Sequence, residues 1–151
     1  MKKVFQIALF VSILTISEIM GQKENTYLSV GELYNYCNLP APCAKVMECE
    51  GKTICIRGYI DWKNIFFKEE YPQLPYEKFK LYDLESEKMI EVFVNPKAAR
   101  GVYRMIQQQM KTSENEAFVK GTISGFNMPL MGQCYRGIRI ELEKADDIKF
   151  R

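Results

Sequence analysis

The sequence predicts an all-β fold with one helix, in the order β-β-β-α-β-β, preceded by a short helical extension. Three observations lead there. Five short runs alternate apolar and polar residues with the period of a half-buried strand. Between the third and fourth runs the apolar residues recur with a helical period instead. Gly, Pro and polar clusters separate the runs. The 151 residues are about one domain's worth of chain, and 47% hydrophobic with 26% charged residues is a globular composition.

The chain opens on Met1-Lys2-Lys3 and an apolar run, Val4 to Ile16, broken only by Gln6, Ser12 and Thr15. As a helix this run would span ~20 Å, short of the ~30 Å hydrocarbon core. A basic start followed by a short apolar run reads as a cleavable signal peptide over residues 1–21, cut after Gly21. The alternative is a membrane anchor or a buried helix. Cleavage would leave residues 22–151 with no stable membrane span, and loss of Lys2, Lys3 and Glu18 would take the net charge from +2 to +1. The expected location is the periplasm or the exterior.

Export places the cysteines in an oxidising compartment. Cys37, Cys43, Cys49 and Cys55 recur every six residues, with Cys134 far downstream. Structural zinc sites use closely spaced cysteine pairs, which are absent here, so no metal and no cofactor is expected. A disulfide between Cys37 and Cys43 is expected, because the intervening Asn38-Leu39-Pro40-Ala41-Pro42 can turn the chain back. The odd count leaves one thiol unpaired unless the chain forms a covalent dimer.

Residues 22–50 form the extension. Ser29-Val30-Gly31-Glu32 has the pattern of a capping box and predicts a short helix to about Tyr36, broken by Pro40 and Pro42. Cys43 to Cys49 is expected to make another helical turn. Thr53 to Trp62 is the first strand, with Ile54, Ile56, Gly58 and Ile60 on one side and Gly58 marking a bulge or bend. Residues 63–77 read as a long loop with Pro72 and Pro75. The second strand covers 78–84, with Phe79 and Leu81 inward, and the third carries Ile90, Val92 and Val94 inward against Glu91 and Phe93. Asn95 can cap a helix that has Pro96 at its first position and Ala98, Val102, Met105, Ile106 and Met110 on one face. The fourth strand covers 117–126, a loop 127–133, and the fifth strand 134–143.

Five strands with a helix between the third and fourth is the order of the OB-fold, a small five-stranded, partly open barrel. The segments Gly51–Ile60, Lys80-Leu81-Tyr82-Asp83, Val119–Gly125 and Ile138–Ile148 resemble its first, second, fourth and fifth strands. Residues 51–151 are thereby similar to exported bacterial OB-fold proteins related to the anticodon-binding, tRNA anti-like OB domains. A different small barrel or an open five-stranded α+β sheet is the rival architecture.

The resemblance implies a ligand lying across strands two and three, between the first and last inter-strand loops. Those loops are rich in aromatic residues. Trp62, Phe66, Phe67, Tyr71 and Tyr76 fall in or beside the first, Phe126 and Tyr135 in or beside the second. Such rings stack on bases or sugars, or pack on a protein partner. The alternative is that the long loop folds back and closes one end of the barrel as minor core. With the first reading, Ala at Phe66 and Phe67 would weaken partner capture without lowering the melting temperature.

Charge and chemistry narrow the role. The candidate cations Lys63, Lys68, Lys78, Lys80 and Arg136 are interleaved with Glu69, Glu70, Glu77 and Glu91, so nothing tracks a phosphate backbone continuously. The chain contains no histidine, which excludes Ser-His-Asp and Cys-His catalysis. No matching set of acids accompanies Asp83, and no phosphate-binding Gly-rich loop occurs. The expectation is an exported, non-enzymatic module that presents an aromatic groove to an envelope protein or glycan. A single-stranded nucleic-acid binder is the disfavoured alternative.

Overall fold

The computed structural model describes residues 26–112 and 115–151. The expected signal peptide lies outside them. Among the described residues the elements are β1 (Leu28–Ser29), α1 (Val30–Tyr36), β2 (Ala41–Pro42), β3 (Thr53–Phe66), β4 (Glu77–Tyr82) and β5 (Met89–Val94). They continue with α2 (Pro96–Gln109), β6 (Glu116–Leu130), β7 (Gln133–Leu142), a 3-10 turn (Ala145–Asp147) and β8 (Ile148–Phe150). The five long strands pair in a closed ring, β3-β4-β5-β7-β6, with β6 returning to β3. All these pairs are antiparallel except β5 with β7, which is parallel. The mostly-β expectation holds.

The local signals act where the sequence places them. Ser29 Oγ accepts the Glu32 N–H at 3.2 Å while the Ser29 N–H donates to Glu32 Oε2 at 2.6 Å, completing the capping box. Asn95 Oδ1 accepts the Lys97 N–H at 2.9 Å, and Pro96 occupies the first helical position of α2. The core is built from the inward positions of each strand: Phe79 and Leu81, Ile90 and Val92, Val119 and Ile123, Ile140 and Leu142. Helix α2 adds Ala98, Ala99, Val102 and Ile106. Met110 follows the helix and is exposed, with Ala99 inward instead, because the buried face ends one turn earlier.

Two strands run further than their periodicity suggests. β3 continues through the expected loop to Phe66, across an irregularity between Ile60 and Ile65 where its register against β4 shifts. The bend therefore falls at residues 61–64, and Asp61 accepts hydrogen bonds there from the Lys63 N–H and the Asn64 amide. Gly58 instead permits close approach: a Cβ would lie 3.1 Å from Leu81 Cβ and 3.2 Å from Val30 Cγ2. β6 continues into the expected 127–133 loop as far as Leu130, which pairs with Gln133 at the start of β7, so that the two strands form a hairpin arm. Met131 (φ 49°) and Gly132 (φ 77°) close it, the double positive-φ geometry that suits right-twisted hairpins.

The expected Cys37–Cys43 disulfide is not formed. Cys37 bonds Cys49, and Cys43 bonds Cys134, with Cα–Cα distances of 5.4 and 5.5 Å. The Pro40–Pro42 segment does not turn back on itself. It runs on as β2, which pairs antiparallel with β7 (Ala41 with Arg136, Pro42 with Tyr135) and carries Cys43 to Cys134. Cys49 returns to Cys37 through turns at 43–52, where a helical turn was expected. Cys55 is the free cysteine. The two disulfides are consistent with an exported protein. Among the described residues no helix is long and apolar enough to cross a membrane.

Candidate functional site

Alternation along β4, β5 and β7 turns one set of side chains inward and leaves Lys78, Lys80, Tyr82, Glu91, Phe93, Arg139 and Glu141 half-buried on the opposite face of the sheet. Lys78 pairs across the strands with Phe93 on one side and Phe66 on the other. Its ammonium sits 5.8, 5.1 and 5.4 Å from the ring centres of Phe66, Tyr76 and Phe93. The same ammonium donates to Glu91 Oε1 at 2.6 Å. The Arg139 guanidinium stacks 4.4 Å from the Phe93 ring centre and donates to Glu141 at 3.0 Å. Three rings thus surround one lysine, and one of them, Phe93, also carries the Arg139 plane. Lys78 and Arg139 are each matched by a carboxylate, Glu91 and Glu141, while Lys80 makes no ion pair among the described residues, so the face is polar and aromatic with little net charge.

The structure divides the expected site residues. Phe66, Tyr71 and Tyr76 gather on this face, with Tyr71 6.1 Å from Phe66 and Tyr76 5.3 Å from Phe93, ring to ring. Tyr71 and Tyr76 are 40% and 41% exposed, enough to meet a ligand. Phe67 is not a groove residue: it is fully buried and packs 5.3 Å from the Tyr103 ring of α2. The register shift at 61–64 changes the parity of β3, so that Ile65 and Phe67 turn inward and Phe66 outward. Trp62 is half-buried and packed against the core.

The loop after β3 therefore does two things. Its first half folds onto α2: Glu70 accepts the Tyr103 O–H at 2.8 Å and the Gln107 amide at 3.2 Å. The hydrogen bond to Glu70 and partial burial both push the Tyr103 hydroxyl pKa up. Glu77 is buried and accepts the Lys68 N–H at 3.2 Å. The second half presents Tyr71 and Tyr76.

Phe126 and Tyr135 lie apart from these, on the hairpin arm. Phe126 packs across Gly137, where any Cβ would meet its ring at 2.7 Å. Together with Met128 and Leu130 they form one side of an apolar groove of about 540 Å³, and Tyr34, Leu39 and Pro40 form the other. Below the arm, Arg136 grips Glu50 with two hydrogen bonds of 2.9 and 2.6 Å and donates a third to Asn127 at 2.9 Å. The Arg136 hydrogen bonds hold the Glu50 carboxyl below the usual carboxylate range, against the burial that raises it.

Phe93 and Arg139, central to the first face, were legible as outward positions on strands whose alternate residues are apolar. Tyr34 and Leu39 carry no such signal, since only tertiary contacts bring them opposite the arm. Among the described residues no cluster of three metal-ligating side chains occurs. No protein-family model matches the chain, and no curated protein matches it significantly.

Proposed function

We propose that the chain is an exported, non-enzymatic OB-fold binding module whose ligand lies on the face built by Phe66, Tyr76, Lys78, Phe93 and Arg139. The strand order supports the OB reading: counting the five long strands, the ring runs first, second, third, fifth, fourth, with the third and fifth parallel and α2 between the third and fourth. In that architecture the face of the second and third strands takes ligand, and β4 and β5 hold those positions. The carrying observation is the cluster of rings fixed by Lys78 and Arg139. Rigid rings bordered by paired charges suit a glycan of the cell envelope, whose sugar rings stack while its hydroxyls meet Lys, Arg and Glu. A protein partner would use the same rings as anchors.

The nucleic-acid alternative draws on the same rings and on Lys80, but Glu91 and Glu141 neutralise two of its cations. Calorimetric titration with envelope oligosaccharides and with single-stranded oligonucleotides, at low and moderate salt, separates the readings. Saturable glycan binding that is indifferent to salt and falls at least tenfold in Phe93→Ala is expected. Oligonucleotide binding that weakens steeply with salt would install the alternative instead, because it reports counterion release. If neither probe binds and a photo-crosslinker at Tyr76 captures no envelope protein, the face is not a binding site.

A further inference from the structure

The apolar groove between the hairpin arm and the α1–β2 segment is separate from the aromatic face, and its chemistry is different. Its volume, about 540 Å³, is that of a small-molecule site. Both walls are held before any ligand arrives. Leu39 and Pro40 are bracketed by Cys37 and Cys43, which are bonded to Cys49 and Cys134. Pro42 pairs with Tyr135 of the arm. The Tyr34 hydroxyl donates to the Met89 carbonyl at 2.8 Å, and burial pushes its pKa up. A preformed apolar groove spares the ligand the cost of ordering it.

Charge selects the ligand. No carboxylate lines the groove among the described residues, and two cations do, Lys88 and Arg136. Arg136 is already neutralised by Glu50. Lys88 makes no ion pair among the described residues, and its ammonium rests 5.0 Å from the centre of the Tyr34 ring, at the groove wall. We infer that this groove binds a single-chain anionic amphiphile of the fatty-acid class, its apolar chain against Phe126, Met128 and Leu130 and its anionic head at Lys88.

The test titrates the disulfide-bonded protein with dodecanoate, dodecyl maltoside and dodecyltrimethylammonium, all below their micelle concentrations. Saturable one-to-one binding of dodecanoate is expected, tightening ~fourfold per added methylene along the series from octanoate, which is the transfer preference of a CH2 group. The cationic analogue should bind at least tenfold more weakly. Lys88→Gln should weaken the carboxylate about tenfold and leave the maltoside unchanged. Leu130→Glu, at a position 53% exposed where folding tolerates charge, should abolish binding. Phe93→Ala should leave it intact, since that ring belongs to the other face. Equal affinity for all three heads, full binding by Leu130→Glu, or loss of binding in Phe93→Ala would each overturn the assignment.

Discussion

Asp83 follows β4, and its carboxylate accepts the Gly31 N–H at 2.8 Å and the Glu85 N–H at 2.9 Å. Gly31 lies in the first turn of α1, so the acid closes the hairpin and meets the positive end of that helix at once. Burial alone would raise its pKa. The two backbone donors, with the Ser29 and Ser86 hydroxyls, outweigh it and bring the value to about 2. A carboxyl depressed in the fold stabilises it when ionised. That contribution is complete above the ordinary value of 3.8 and is lost as pH falls toward 2. Asp83→Asn should therefore melt below the parent at pH 7, with the difference closing between pH 4 and pH 2 in a thermal-melt series. Phe66 and Phe67 make a second comparison at the same scale. Phe67→Ala opens a cavity beside Tyr103 and should cost ~3–5 kcal/mol, whereas Phe66→Ala removes a half-buried ring over Lys78 and should cost under ~1 kcal/mol. Urea unfolding of the two variants measures both. Similar losses at the two positions would contradict the parity that turns Phe67 inward and Phe66 outward. The expectation that both rings could be removed without lowering the melting temperature fails at Phe67, which is fully buried.

Among the elements, those governed by near neighbours were legible in the chain. The Ser29–Glu32 box, the Asn95-Pro96 start and the inward sets of β4 and β5 all depend on residues within a few positions of one another. Where elements end was less legible. β3 crosses a bulge where Asp61 accepts two hydrogen bonds; residues 61–64 there oppose Lys80 alone, and this odd excess of three residues resets which neighbours face inward and takes Phe67 from the expected groove to the core. The arm of β6 and β7 looked like a loop because its Met128-Pro129-Leu130-Met131 stretch lacks alternation. It persists as strand through nine backbone pairs between Thr122–Leu130 and Gln133–Glu141 and a tight turn at Met131-Gly132. The arm is also where the apolar groove forms, with Met128 and Leu130 exposed at 41% and 53%.

For the whole molecule, one covalent link is local to the extension and the other joins the extension to the distant β7. Cys37–Cys49 closes 12 residues and Cys43–Cys134 closes 91. In the chain-entropy model, the first restricts the unfolded state by ~3 kcal/mol and the second by ~4.5 kcal/mol. Serine at both Cys43 and Cys134 should therefore destabilise the protein more than serine at both Cys37 and Cys49, as read from urea midpoints. Peptide mapping without reduction should recover these two pairs and an alkylated Cys55. Recovery of a Cys37–Cys43 peptide would refute the pairing. Losing the 43–134 link should also loosen the groove wall at Leu39 and Pro40, whereas the aromatic face depends on neither disulfide.

By itself the sequence determined the period of each strand, the two helix starts, the presence of rings near the strand ends and the absence of histidine chemistry. These follow from spacing and from local hydrogen-bonding groups, which the chain carries wherever it goes. Only the tertiary structure decided the cysteine partners, the burial of Phe67, the enclosure of Lys78 by three rings and the groove between Tyr34 and the arm. Each of those depends on which strands become neighbours when the ring closes. β2 reaches Cys134 only because it pairs with β7. Lys78 reaches Phe66 and Phe93 only because β4 lies between β3 and β5. Long-range pairing is selected by the packing of one shared core, a property of all the inward residues together.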